Sequence, residues 1–137
     1  MFHFGPIGIR AGDDVVCSRL TMADGSSLYL VAHRTGQLID AYQVFLYRIE
    51  SSHYTYEYRL GNEDSFWWGS SLRKVGAEGT VEIRSFWQPV AKYVQNTGTL
   101  EWLHEKRPPD HGRNIGYDDR VKRILSEDRK AKNPMPR

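Results

Sequence analysis

Between His53 and Leu60 polar and apolar residues alternate strictly, with Tyr54, Tyr56, Tyr58 and Leu60 on one side and His53, Thr55, Glu57 and Arg59 on the other. Successive side chains of a β-strand point to opposite faces, so the pattern predicts a strand with one greasy and one wet face. The run before it, Tyr42 to Ile49, is apolar on both alternation faces, as in a central strand or one covered on both sides. Val15 to Met22 and Ser27 to Ala32 are two further β-prone runs, joined at Ala23-Asp24-Gly25-Ser26. Asp-Gly supplies the positive φ angles of a tight hairpin turn. Polar punctuation at His33 to Gln37, Glu50 to Ser52 and Gly61 to Asp64 separates these runs.

Ser65-Phe66-Trp67-Trp68 follows, and then a Gly/Ser/Lys-rich stretch from Gly69 to Gly79 that reads as a flexible loop. In Thr80 to Trp87, the residues Val81, Ile83 and Trp87 share a side; Phe86 falls with Glu82 and Arg84 unless a bulge intervenes. Pro89 closes that strand. Tyr93 to Gln95 and Thr99 to Leu103 flank Asn96-Thr97-Gly98 as a last hairpin, although Leu100, Trp102 and Leu103 also suit a helical turn. Beyond Leu103 the pattern changes. Pro108-Pro109 and the residues to Gly116 describe an extended connector, after which Asp118 caps a helix whose narrow apolar stripe is Val121, Ile124 and Leu125. Asp118–Lys122 and Asp119–Arg123 are i,i+4 pairs of favourable polarity, each contributing about 0.3 kcal/mol. So short a stripe does not stabilise a helix alone in water, so it must dock on the body or on another chain.

These elements predict a mainly β protein, an antiparallel β-barrel or sandwich of about six to eight strands with one C-terminal α-helix. As a single domain it divides into an antiparallel β-body at 1–103, an extended connector at 104–117, a helix at 118–131 and a frayed tail at 132–137.

Composition changes this picture in three places. The chain has 137 residues and a net charge of +2, too small for a global attraction to nucleic acid or an anionic membrane. The charge is unevenly placed: residues 104–137 hold 10 of the 19 Lys+Arg and 6 of the 17 Asp+Glu, a net of +4, which leaves −2 for residues 1–103. Cys17 is the single cysteine, which excludes an intrachain disulfide and a cysteine-rich zinc site. The apolar start at Met1 to Arg10 is broken by Gly5, Pro6 and Gly8, and no later apolar run approaches the roughly 18 residues that span a bilayer. A soluble, cytoplasmic protein is expected, with no membrane partner.

Candidate chemistry is sparse. His104 and His111 stand seven apart beside Asp110, a spacing that preorganises no zinc, so neither a metal nor a cofactor is expected. The serine pairs Ser26-Ser27, Ser51-Ser52 and Ser70-Ser71 lie outside any G-x-S-x-G elbow, and Cys17 reads as a buried thiol within a strand. Gly76-Ala77-Glu78-Gly79 lacks the Lys-Ser/Thr of a phosphate loop. No segment matches a family motif.

The feature above average is the aromatic content, four Trp, eight Tyr and five Phe. β-Proteins use such rings for cross-strand packing, which accounts for most of them. The consecutive Trp67 and Trp68 project to opposite faces of a strand, so one is expected at the surface. Trp, Tyr and Arg are the residues that anchor protein interfaces. The leading expectation is therefore a non-catalytic interaction module, of inhibitor or immunity type, contacting another protein or a second copy of itself. Its contact residues are Trp67, Trp68, Arg73, Lys74 and Trp87, on the aromatic-rich sheet face and the 69–79 loop. An alternative is single-stranded nucleic-acid or small-ligand binding in a barrel mouth lined by Tyr42, Tyr47, Tyr54, Tyr56 and Trp87, bases stacking on rings while cations track phosphates. A third is a small enzyme pairing His33 or His53 with a carboxylate. The basic residues of the tail, among them Arg107, Arg113, Arg120, Lys122 and Arg123, read as a solvated helix or as a phosphate-tracking edge.

Overall fold

The computed structural model describes residues 12–36, 42–51, 54–63, 70–76, 79–85 and 88–132. Strands β1 (Asp14–Thr21) and β2 (Ser27–Arg34) form the hairpin expected at Asp24-Gly25. Gly25 takes φ +88° and its N–H reaches the Met22 carbonyl at 3.0 Å, while Asp24 Oδ1 accepts the Ser26 N–H at 2.9 Å. A left-handed residue and a side-chain acceptor together close the turn. β3 (Tyr42–Ile49) and β4 (Thr55–Glu63) extend the sheet antiparallel. A two-residue β9 (Arg113–Asn114) adds to the far edge of β4, giving the order β1-β2-β3-β4-β9. The other four strands, β5 (Ser70–Val75), β6 (Thr80–Ser85), β7 (Gln88–Val94) and β8 (Thr99–Trp102), meander in sequence order into a second antiparallel sheet. The helix α1 (Asp119–Lys132) follows.

The two sheets form a sandwich rather than a closed barrel, and the core lies between them. Leu28, Leu30, Val44 and Leu46 of the larger sheet meet Val81, Ile83, Ala91, Tyr93 and Leu100 of the smaller one. Tyr58 and Tyr93 pack edge to face at 5.5 Å within this layer. Their hydroxyls are satisfied, since Tyr58 donates to Gly98 O at 2.8 Å and Arg48 donates to the Tyr93 oxygen at 2.8 Å. β3 is the doubly covered strand the pattern called for: Val44 and Leu46 face the second sheet, while Phe45 and Tyr47 face outward into a second apolar cluster with Tyr29, Val31 and Ile124. That cluster is closed by α1. Val121 and Ile124 are fully buried, so the helical stripe docks on the chain's own body. Burying each such side chain contributes about 1.5–3 kcal/mol, which supplies the stability a helix of this length lacks alone. The Val121 N–H donates to Asp118 Oδ1 at 3.0 Å, the expected cap.

Four local expectations change. Residues 70–75 are a strand, not a loop, because Ser70 and Leu72 alternate inward while Arg73 and Lys74 remain exposed. The Leu72 N–H donates to Ser18 Oγ of β1 at 3.1 Å and ties the two sheets together. Pro89 lies near the start of β7, opposite Arg84 where the register shifts, a place where a missing donor costs little. The helix forms its ion pairs differently: Lys122 lies 4.0 Å from Asp119, and Arg123 reaches 3.7 Å to Asp14 on β1. On β4 the wet face is largely covered, with Thr55 fully buried and the Glu57 side chain 10% exposed, whereas Tyr54 of the greasy series lies before the strand begins and is 52% exposed. The runs containing Trp67, Trp68 and Trp87, with His53, lie outside the described residues. No helix among the described residues is long and apolar enough to cross a membrane.

Candidate functional site

The covered face of β4 arises from strand register. Tyr47 of β3, Glu57 of β4 and Arg113 of β9 are register partners in one row across three strands. One same-face step along, Phe45 is opposite Arg59. A register shift between Val44 and Phe45 places Val44 opposite Gly61, a bulge with Gly61 at φ +145° that bends the strand just beyond Arg59. Gln43 stands one further step along β3 on the same face as Phe45.

Two other elements wall in these rows. From α1, Arg120 lies over the Phe45 ring at 5.3 Å and donates to the Tyr47 oxygen at 3.2 Å. From the connector, Asp110 exchanges backbone hydrogen bonds with Leu100 at 2.8 Å in each direction, and its Oδ1 accepts the Gly112 N–H at 2.8 Å. Gly112 has φ +78° and passes so close to Tyr58 that a Cβ there would sit 2.7 Å from the ring. Between helix and connector is a cleft of about 400 Å³, lined by Gln43, Phe45, Glu57, Arg59, Asp110, Gly112, Arg113 and Arg120. That volume is at the small end of ligand pockets.

The charge of the cleft is organised around one carboxylate. Glu57 Oε1 accepts from Arg113 at 2.7 Å, and Oε2 accepts from the Tyr47 hydroxyl at 2.9 Å and from Arg120 at 3.5 Å. Burial, and then the charge of Glu57, push the Tyr47 phenol far above its ordinary range, so it remains a proton donor. Burial opposes the charge on Arg120, but Tyr47, Asp14 and Glu57 more than offset it and raise its pKa. Among the described residues Arg59 and Gln43 have no side-chain partner, and Arg59 is exposed. Three guanidiniums thus meet two carboxylates, leaving one positive charge over.

The expected contact residues are placed elsewhere. Arg73 and Lys74 are exposed on β5 of the other sheet, opposite Glu82 and Val81 in register. Of the rings proposed for a nucleic-acid mouth, Tyr42 and Tyr47 are buried, Tyr56 is packed against the core and Tyr54 is exposed. His33 does meet a carboxylate, its Nδ1 lying 2.9 Å from Asp14 Oδ1. Asp14 Oδ2 is buried without a hydrogen bond, 3.7 Å from Arg123, and neither His33 nor Asp14 lines the cleft. Burial pushes the Cys17 thiol up to about 12, as an inert thiol requires. A smaller cavity of about 140 Å³ at one end of the sandwich is lined by Val44, Leu60, Val90, Trp102 and His104 among others, with Arg107 stacked 3.9 Å over Trp102.

Sequence reasoning passed over Glu57, Arg59 and Gln43. The available signal was the charged, alternating face of β4 beside a β3 whose outward residues Phe45 and Tyr47 are apolar, since a covered face next to a charged one marks the edge of whatever covers it. Comparisons with protein families, with curated proteins and with solved structures find no match to this chain.

Proposed function

We propose that this protein is a non-catalytic interaction module, of inhibitor or immunity type, working in the cytoplasm, whose partner is another protein or a second copy of itself. Its contact surface is centred on the Glu57–Arg59–Arg113–Arg120 cleft. The observation carrying this reading is the surplus positive charge at Arg59, presented in a walled concavity whose other cations are already fixed by Glu57. Cations fixed in this way are preorganised, so a partner's acidic group meets them at little entropic cost. Trp67, Trp68, Arg73, Lys74 and Trp87 remain proposed as further contact residues. Single-stranded nucleic acid is the less favoured partner, because Tyr42 and Tyr47 are buried and leave fewer rings for stacking.

The test is affinity capture from extract of the native host with the wild type and with Arg59→Glu, followed by reconstitution of any captured pair from purified components. Arg59 is exposed, so the charge reversal leaves the fold intact. A discrete protein retained by the wild type, released by salt, lost with Arg59→Glu and rebound in purified form supports the proposal. Retention indifferent to the reversal overturns it, and elution of nucleic acid alone transfers the site to the alternative.

A further inference from the structure

We infer that the cleft takes the terminal carboxylate of a partner chain, with Arg59 binding the carboxylate and Gln43 the peptide amide next to it. This inference rests on the reading of the protein as a partner-binding module and names the group its cleft receives.

Charge selects the anion. Arg59, Arg113 and Arg120 face Glu57 and Asp110, so a singly charged group neutralises the cleft. A phosphate dianion would leave a surplus negative charge beside two carboxylates, and like charges disfavour one another there. Geometry selects carboxylate for the same position. Two of the three guanidiniums already bind one carboxylate, Glu57, each through a different oxygen, and Arg59 on the adjacent residue row presents the same planar fork with no side-chain partner among the described residues.

Gln43 distinguishes a chain end from a lone acid. It lies one same-face step from Phe45, the register partner of Arg59, so the two polar side chains leave their strands about 7 Å apart along the sheet. An extended chain places its last amide about 3.4 Å from its terminal carboxylate, and the reach of Gln43 and Arg59 closes the remainder. The amide of Gln43 offers both a donor and an acceptor, which matches a peptide group and adds no charge. Arg120 comes from α1 and Gly112 from the connector, so the elements after Leu103 complete the site.

The probes are acetyl-trialanine with a free carboxylate, the same peptide as its C-terminal amide, acetyl-Ala-Asp-Ala amide, and inorganic phosphate, each titrated into the full chain and followed by backbone NMR. The free-carboxylate peptide should bind saturably and shift the amides of Gln43, Phe45 and Arg59. Arg59→Ala should weaken it about tenfold and Gln43→Ala about threefold, with Arg59→Lys recovering part of the loss, and the unliganded spectra reporting that each variant is folded. Equal binding of the amidated or the internal-Asp peptide, tighter binding of phosphate, or no saturable shift with any probe overturns the inference. The two failures separate on a captured partner: binding lost with Arg59→Glu but unaffected by trimming the partner's C-terminus removes the inference and leaves the module. Binding unaffected by Arg59→Glu removes both.

Discussion

On its inner face the five-stranded sheet sets Leu28, Leu30, Val44 and Leu46 against a second sheet, and on its outer face Tyr29, Val31, Phe45 and Tyr47 against a single helix. The covers differ in width. Five strands spaced about 4.8 Å apart span roughly 20 Å, whereas one helix with its side chains is about 10 Å across. The second sheet therefore covers the face from β1 to β4, and the inner layer is mainly apolar, with Ser18, Arg48, Tyr58 and Tyr93 each hydrogen-bonded within it. The helix covers only the β1 to β3 side. Towards β4 and β9 the outer face changes from rings to the Tyr47–Glu57–Arg113 row and the open position at Arg59. The cleft is where the narrower cover ends.

The largest expected effect falls on the inner layer. Leu46→Ala removes a fully buried side chain from between two sheets that are both pinned by ladders and relax little around the cavity, and should cost about 3–4 kcal/mol. Chemical denaturation should show one cooperative transition, shifted as a whole. In the outer layer, Ile124→Ala should cost about 2 kcal/mol, because a helix held by few contacts can settle into the space. Hydrogen exchange should then show α1 opening ahead of the body. If Ile124→Ala lowered the protection of β6 and β7 as much as that of α1, the two layers would be one cooperative unit and the distinction would fail.

Gly112 joins the layers, lining the outer cleft while resting on the inner-layer Tyr58 ring. Gly112→Ala should cost about 2 kcal/mol, since its φ of +78° disfavours a side chain and the new Cβ would meet a buried ring that has no room to yield. Gly98→Ala is the control. At φ +66° its Cβ would find nothing nearer than 3.9 Å, so it should show only the conformational part, about 1 kcal/mol. A difference between the two by thermal unfolding measures the contact with Tyr58; equal losses would mean the connector lifts freely.

Much of the body was legible because burial there is written in neighbouring residues. Two apolar alternations in Tyr42 to Ile49 mark a strand covered twice, and Asp24-Gly25 marks the β1–β2 turn by local chemistry, a left-handed glycine beside a side-chain acceptor. β5 was misread because one large apolar residue, Leu72, sets its inward face against exposed Arg73 and Lys74, too thin an alternation beside Gly and Ser. The cleft was illegible for another reason. Glu57 meets Arg113 and Arg120 at separations of 56 and 63 residues, and the charged face of β4 beside apolar Phe45 and Tyr47 marks the edge of a cover without saying that it is the arginine-rich tail. Charges on a strand face read as solvated until the cover is known. The N-cap at Asp118 was readable, whereas the choice of Arg123 for Asp14 over Asp119 depended on where the helix lands.

The smallest expected effect lies at the rim of the inner layer, where Arg48 donates to the Tyr93 oxygen at 2.8 Å and to Asp24 at 2.7 Å. The Ser26 hydroxyl above all, then the Ser26 N–H and the Arg48 guanidinium, hold the Asp24 carboxyl down to about 2 from its ordinary 3.8. A carboxyl whose pKa is lower in the folded chain binds fewer protons there than when unfolded. Its contribution is therefore complete above the unfolded value and disappears as pH falls from about 4 through about 2. Asp24→Asn should flatten the loss of stability across that window, and the gap between wild type and variant should be constant above about pH 5. Because Asp24 lies at the surface, the gap should shrink in high salt. Unfolding midpoints from pH 2 to 7 at two salt concentrations test this, and parallel curves for the two proteins would mean that the Arg48 network holds the rim without titrating.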